Sequence, residues 1–207
     1  MAASTLKLAV RTPTGTEAGT VDLAEAVFGI EPNMAVMHQV VTAQLARVAP
    51  VPTAPRPAPR FAVAGPSRGG RGHRSGPGRF VHVAHLAGGG IAHGPKPRDY
   101  TQRTPKKMVK LALRSALSDR AAEGNVIVVD AWSFDTPKTK DGVAALAALG
   151  VDGKALVVLG DGDENAWKSF RNVVGVHCVH VGELNTYDVL DADVVVFTKE
   201  TLPGGES

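Results

Sequence analysis

The chain has one cysteine, few aromatic residues and no long apolar run, and each scarcity removes a class of function. A lone Cys178 excludes an internal disulfide and any cysteine-based zinc site, and it fits a reducing cytosol. No apolar stretch approaches the ~20 residues that a bilayer requires, so no membrane-spanning segment is expected. The N-terminal MAASTLKLAVRTPTG lacks the apolar middle of a secretory signal, so no leader is expected either. The last scarcity is local. From Arg47 to Lys110 the sequence holds one acid, Asp99.

Against that acid stand Arg47, Arg56, Arg60, Arg68, Arg71, Arg74, Arg79, Lys96, Arg98, Arg103, Lys106, Lys107 and Lys110. Setting these thirteen bases and one acid apart from the totals of 23 and 20 leaves ten bases and nineteen acids. A net charge near +12 therefore sits on this stretch and near −9 on the remainder. Charge segregated in this way suggests a nucleic-acid contact made by one region only. The stretch also holds most of the proline and about half of the glycine. It cannot build a core of its own and needs a polyanion to lie against. Residues 46–104 are accordingly expected to form an extended basic RNA-penetrating loop, with 1–45 and 105–207 as the globular body.

Within the body, Leu6, Leu8 and Val10 alternate as in a short strand ended by Pro13 and Gly15. From Asn33, a capping residue, the spacing turns helical through Met34, Met37, Val40, Val41, Gln44 and Leu45. Thr104-Pro105 predicts a helix start with a capping hydroxyl. Met108, Leu111, Leu113, Ser115, Ala116 and Leu117 supply its apolar face, and Gly124 its end. Lys106, Lys107 and Lys110 crowd its first turns, where the helix dipole disfavours cations, so a phosphate partner would explain them.

Beyond Gly124, Val126–Val129 is a continuous apolar run that reads as a strand buried on both faces, Leu156–Leu159 as a second buried strand, and Val176–Val181 and Val194–Phe197 as a third and a fourth strand. Helical segments begin at Thr136-Pro137, with Val143, Leu146 and Leu149 on one side, at Gly160–Glu164, and at Tyr187–Leu190. The alternation predicts an α/β body: a mainly parallel sheet flanked by helices, Rossmann-like and three-layered, with the basic loop inserted.

Chemical motifs are weak. Gly160-Asp161-Gly162-Asp163-Glu164 lacks the third glycine of a dinucleotide fingerprint, and two acids at a helix start are explained by capping and the dipole. His82, His85 and His93 have no cysteine partner for a metal. His38 reads as a hydrogen-bonded packing residue, and Cys178 as an inert buried thiol. No nucleophile–base–acid set stands out, and no cofactor is expected.

Several segments carry a resemblance. Met37-His38-Gln39-Val40-Val41, Gly88-Gly89-Gly90 with His93-Gly94-Pro95-Lys96-Pro97-Arg98-Asp99-Tyr100, and Arg103-Thr104-Pro105-Lys106-Lys107-Met108 are similar to the bacterial large-subunit ribosomal protein L-four family. So are Ala112–Ser118 and Leu184–Leu190. The similarity covers about 1–45 and 85–200. It implies an α/β body on the outer large subunit and a loop threading rRNA toward the nascent-peptide tunnel. The implied partners are 23S rRNA, neighbouring proteins including the tunnel-lining L-twenty-two, and the nascent peptide in passing, with no membrane. No catalytic residue comes with the family, and the implied location is the cytoplasmic ribosome. The bases named above, with Gly88, Gly89, Gly90, His93 and Tyr100, are the expected rRNA contacts, resting on shape, backbone and unpaired bases. Two other readings fit the composition: an α/β enzyme binding a small molecule near Gly160–Glu164 and carrying a basic RNA-binding insertion, and an RNA chaperone acting outside the ribosome.

The arm departs from the family. Members carry a run like THSTKTRGEVRGGG and then one like PWRQKGTGRARAGS. Pro52–Gly65 is what a one-nucleotide shift in codons for the first run can give. Arg68–Arg71 fits the same shift of PWRQ, and Gly72–Ala84 a two-nucleotide shift of the KGTGRARAGS portion and its continuation. On this reading residues from about 46 to 84 come from compensating frameshifts, either in the gene or in its sequencing, and in the second case a tryptic digest of the protein lacks the peptide Phe61–Arg68. Its recovery by mass spectrometry would show the arm to be genuine as written.

Overall fold

A computed structural model describes residues 7–48 and 98–204. The chain divides into two units, Met1–Ala46 with Thr101–Ser207, and Arg47–Tyr100. In the first unit, β1 (Lys7–Arg11) and β2 (Glu17–Asp22) form an antiparallel hairpin. Gly15 closes it at φ 85°, and a Cβ there would meet the Ala148 carbonyl oxygen at 2.5 Å. The short α1 (Glu25–Phe28) and the longer α2 (Met34–Val48) come next. After the arm come α3 (Lys106–Ala122), β3 (Val126–Val129), α4 (Thr139–Ala148) and β4 (Ala155–Leu159). Then α5 (Glu164–Phe170), β5 (Val176–His180), a 3-10 turn at Val181–Glu183, α6 (Thr186–Asp191) and β6 (Val194–Thr198) complete the order.

The strands form one mixed sheet in the order β2-β1-β3-β6-β4-β5. Every pairing except that of β1 with β2 is parallel. Alternate side chains divide between two cores. Val126, Val128, Leu156, Val158, Val195 and Phe197 meet α1, α2, α3 and α6, whereas Val129, Val157, Leu159 and Val196 meet α4 and α5. Strands buried on both faces must be apolar throughout, which is why VIVV, ALVVL and VVVF read so uniformly.

Local signals explain most of the boundaries. The side-chain oxygen of Asn33 accepts from Val36 N–H at 3.2 Å and opens α2. Gly124, at φ 77°, ends α3: its N–H donates to Ala121 O and that of Asn125 to Arg120 O, a Schellman closure. Asn185 Oδ1 accepts from Asp188 N–H at 3.0 Å and caps α6.

Several expectations need correction. The residue before α3 is Pro105, with no side-chain hydrogen bond to the first turn, so Thr104 is not its cap. Helix α4 starts at Thr139 rather than at Thr136-Pro137, and Val143 points outward, leaving Leu146 and Leu149 in the core. On α2 the inward face is Met37, Val40 and Ala43, while Met34 and Leu45 are exposed. Leu111 is also partly exposed, and Ala112 takes the buried position beside it. His38 is an exposed residue whose backbone carbonyl accepts from Thr42, not a packing residue. Neither β2 nor α1 was expected. β2 (EAGTVD) is almost wholly exposed and lacks alternation, and α1 is a single turn.

The single turn is nevertheless anchored. Phe28 is buried, and the buried Ser118 hydroxyl donates to Phe28 O at 2.8 Å and also reaches Ile30 O. Ser118→Ala removes the only side-chain donor found for these two carbonyls among the described residues. It should lower stability by about 1–3 kcal/mol, read as a lower urea midpoint at unchanged slope.

Candidate nucleic-acid interface

Helix α3 changes character along its length. Toward its C-terminus Ala116, Leu117 and Ser118 are buried, and Arg120 is locked onto the end of α6. Its Nε donates to Val189 O at 3.3 Å, one terminal nitrogen to Leu190 O at 3.0 Å and the other to Glu123 at 2.9 Å. These orphan carbonyls at a helix C-terminus are natural acceptors for a cation. The N-terminal half buries only one side, through Ala112 and Ser115, with Met108 and Val109 packed against the same core.

The other side is basic. Lys106, Lys107, Lys110 and Arg114 are all exposed and span roughly 100° of the helix circumference. Arg103 is exposed just ahead of them. No acid lies in the first turn of α3, whereas Glu25, Asp141, Glu164 and Asp188 occupy the first turns of α1, α4, α5 and α6. Some cations elsewhere in this unit find carboxylates: Lys7–Asp22 at 4.0 Å, Lys154–Asp191 at 3.0 Å and Lys168–Glu164 at 3.0 Å. Among the described residues, none of the four α3 cations has such a partner. Two lysines against the positive end of a helix cost up to about 1 kcal/mol each unless an anion offsets them. These cations stand on a helix whose opposite side packs against the core.

Arg114 was not among the sequence candidates. It lies four residues after Lys110 and seven after Lys107, so the helical period alone could have found it. Of the other expected contacts, Arg47 is exposed in the last turn of α2, where a cation suits the dipole. In the second unit the Arg98 guanidinium lies 4.3 Å over the Tyr100 ring, a cation–π pair. Arg56, Arg60, Arg68, Arg71, Arg74, Arg79, Gly88, Gly89, Gly90, His93 and Lys96 lie outside the described residues, as do His82 and His85.

The rival position at Gly160–Glu164 is taken up by its own turn. Asp163 does not cap α5 with its side chain. Its carboxylate accepts from Gly160 N–H at 3.1 Å, while Glu164 pairs with Lys168. A shallow pocket of about 290 Å³ lies there, lined by Asp161, Asp163, Glu164, Trp167, Lys168 and His180. Among the described residues, no three His, Cys, Asp or Glu side chains gather as a metal set.

Cys178 is buried on β5, and burial pushes its thiol from 9.0 up to about 11. In the unfolded chain the thiol ionises near 9.0, while the folded chain still holds the proton. Stability is thus fully present below that pH and falls as pH rises toward 11. The native chain should react with a disulfide reagent near neutral pH at least about tenfold more slowly than the unfolded chain, since only thiolate attacks. Equal rates in thiol titrations would contradict the burial of Cys178.

The sequence as a whole matches the model of the "Ribosomal protein L4/L1 family" over residues 21–204. It is 47% identical over 205 residues to "Large ribosomal subunit protein uL4" of Mycolicibacterium smegmatis, covering 96% of this chain and 93% of that protein. The protein of the same name from Mycobacterium sp. (strain KMS) is 46% identical over 200 residues, covering 93% and 89%. That of Mycobacterium tuberculosis (strain CDC 1551 / Oshkosh) is 45% identical over 205 residues, covering 96% and 90%.

Proposed function

The chain belongs to the ribosomal protein L4/L1 family, and from that membership we infer how its charged surfaces are used. It is a structural constituent of the large ribosomal subunit in the cytoplasm, from a family without enzymatic activity. The observation that carries the mechanism is the basic face of α3, without carboxylate partners among the described residues, on a helix whose far half is buried in the core.

In this reading Arg103, Lys106, Lys107, Lys110 and Arg114 neutralise phosphates of large-subunit rRNA, releasing counterions as they do so. The bases from Arg47 to Lys96 continue that contact as an extended loop between α2 and α3, spanning 46–104. The body is 1–45 and 105–207, in a Rossmann-like three-layer arrangement. Gly88, Gly89 and Gly90 allow the loop backbone to approach RNA closely, with His93 beside them. Tyr100, already covered on one face by Arg98, offers its ring for stacking on an unpaired base. The loop tip helps line the nascent-peptide exit tunnel beside the L-twenty-two protein. Support for this comes from the family, the charge segregation and the scarcity of acids across the arm.

The enzyme reading has less behind it, because the acids at the end of β4 are spent on a local turn and an ion pair. Replacing Lys106, Lys107 and Lys110 together by glutamine should weaken binding to a large-subunit rRNA fragment. The slope of log K against log salt should fall by about 0.7–0.9 for each phosphate that is no longer neutralised. A filter-binding titration across salt checks this, and an unchanged slope would remove α3 from the interface.

A further inference from the structure

The two edges of the sheet are built differently. On one side β2 carries Glu17 and Asp22 at its ends, and a bulge interrupts its register between Val10 and Arg11. Charge and bulges are the usual guards against unwanted strand pairing. On the other side β5 (VHCVH) has no proline, no lysine and an unbroken five-residue register with β4.

The register fixes which backbone groups of β5 face outward. Ala155 N–H donates to Gly175 O at 2.9 Å, so in a parallel ladder Gly175, His177 and Val179 turn toward β4. Val176, Cys178 and His180 then turn away from the sheet. The N–H of Val176 is occupied by Val173 O at 3.3 Å. Left pointing outward are the carbonyl of Val176, both groups of Cys178 and the N–H of His180. Among the described residues no strand pairs on that side.

A groove of about 500 Å³ runs along this edge. Val176–Val179 form its floor, with Trp167 and Arg171 on one side and Glu183 and Asn185 on the other. Trp167 is held in place by stacking on His180, ring centres 4.9 Å apart and 11° from parallel. The surroundings are acidic. Asp188 lies 3.6 Å from His177 and Asp161 lies 3.8 Å from His180, while Glu183 is exposed. The nearby Lys154 and Lys168 are already paired with Asp191 and Glu164, which leaves Arg171 as the cation facing the groove.

We propose that β5 is a docking edge for an extended, lysine- or arginine-bearing segment of another polypeptide, which adds a strand to the sheet. Its backbone exchanges hydrogen bonds with Cys178, and its cationic side chains meet Glu183 and the exposed Asp161. This is strand addition, in which main-chain bonds hold the guest and side-chain pockets select it. RNA phosphates would be repelled by the same carboxylates, and so would a second copy of this acidic edge. The inference uses no residue of the basic face on α3 and stands apart from the rRNA reading.

The test uses the full chain and a short synthetic peptide of repeating Lys-Val-Thr-Val. Amide exchange read by mass spectrometry should slow by about tenfold at Cys178 and His180 when the peptide is present. Cys178→Pro deletes an outward N–H, a position at which an edge strand tolerates proline, so the chain should fold and lose the protection. Glu183→Lys, an exposed substitution that keeps the fold, should weaken peptide binding at least about threefold and serves if the proline variant does not fold. The idea fails if the peptide protects no β5 amide. It fails equally if a Glu-Val-Thr-Val peptide or an RNA oligonucleotide protects β5 as well, or if the protection is produced by self-association of the chain.

Discussion

Everything in the body depends on three strands, β3, β6 and β4, that are covered on both faces. Their side chains alternate between the core under α1, α2, α3 and α6 and the core under α4 and α5. Each fully buried valine or leucine is worth about 1.5–3 kcal/mol relative to exposure, and here a single β-strand supplies both layers at once. The helices are consequently fixed by what they cover. α3 packs Ala112 and Ala116 against the sheet, and small side chains there bring its axis close.

That packing gives the charged surface its value. An exposed cation on a mobile segment loses side-chain and backbone entropy on meeting a phosphate. On α3 the backbone cost has already been met by burial of the C-terminal half and by the three-way fixation of Arg120. The lysines and Arg114 therefore present a preformed row. Around β5 the carboxylates predominate, and the nearby Lys154 and Lys168 are paired.

The strands VIVV, ALVVL and VVVF were legible in the sequence because burial on both faces leaves no room for polar residues. The caps at Asn33 and Gly124 were legible because their chemistry is local. Thr104 misled because a capping hydroxyl ahead of proline is a frequent helix start, yet here α3 begins after Pro105 without it. Strand β2 was illegible: its hydrogen bonds come wholly from β1, and its side chains bury almost nothing. Leu45 and Met34 carry the right spacing for a core face but lie off the one that Met37 and Val40 define.

Taken alone, the sequence determined the quantities that are sums or local patterns: the charge segregation, the buried strands, the helix punctuation, and through its motifs the family. Only the tertiary structure decided which cations remain without carboxylate partners, because pairing depends on neighbours distant in the chain, such as Lys154 with Asp191. It also decided that β5 rather than β4 or β6 ends the sheet, since strand order is set by how crossovers pack and not by any single strand's composition. Arg114 shows the boundary between the two. Its position on the basic face comes from the helical period, but its exposure comes from where the core beneath α3 runs out.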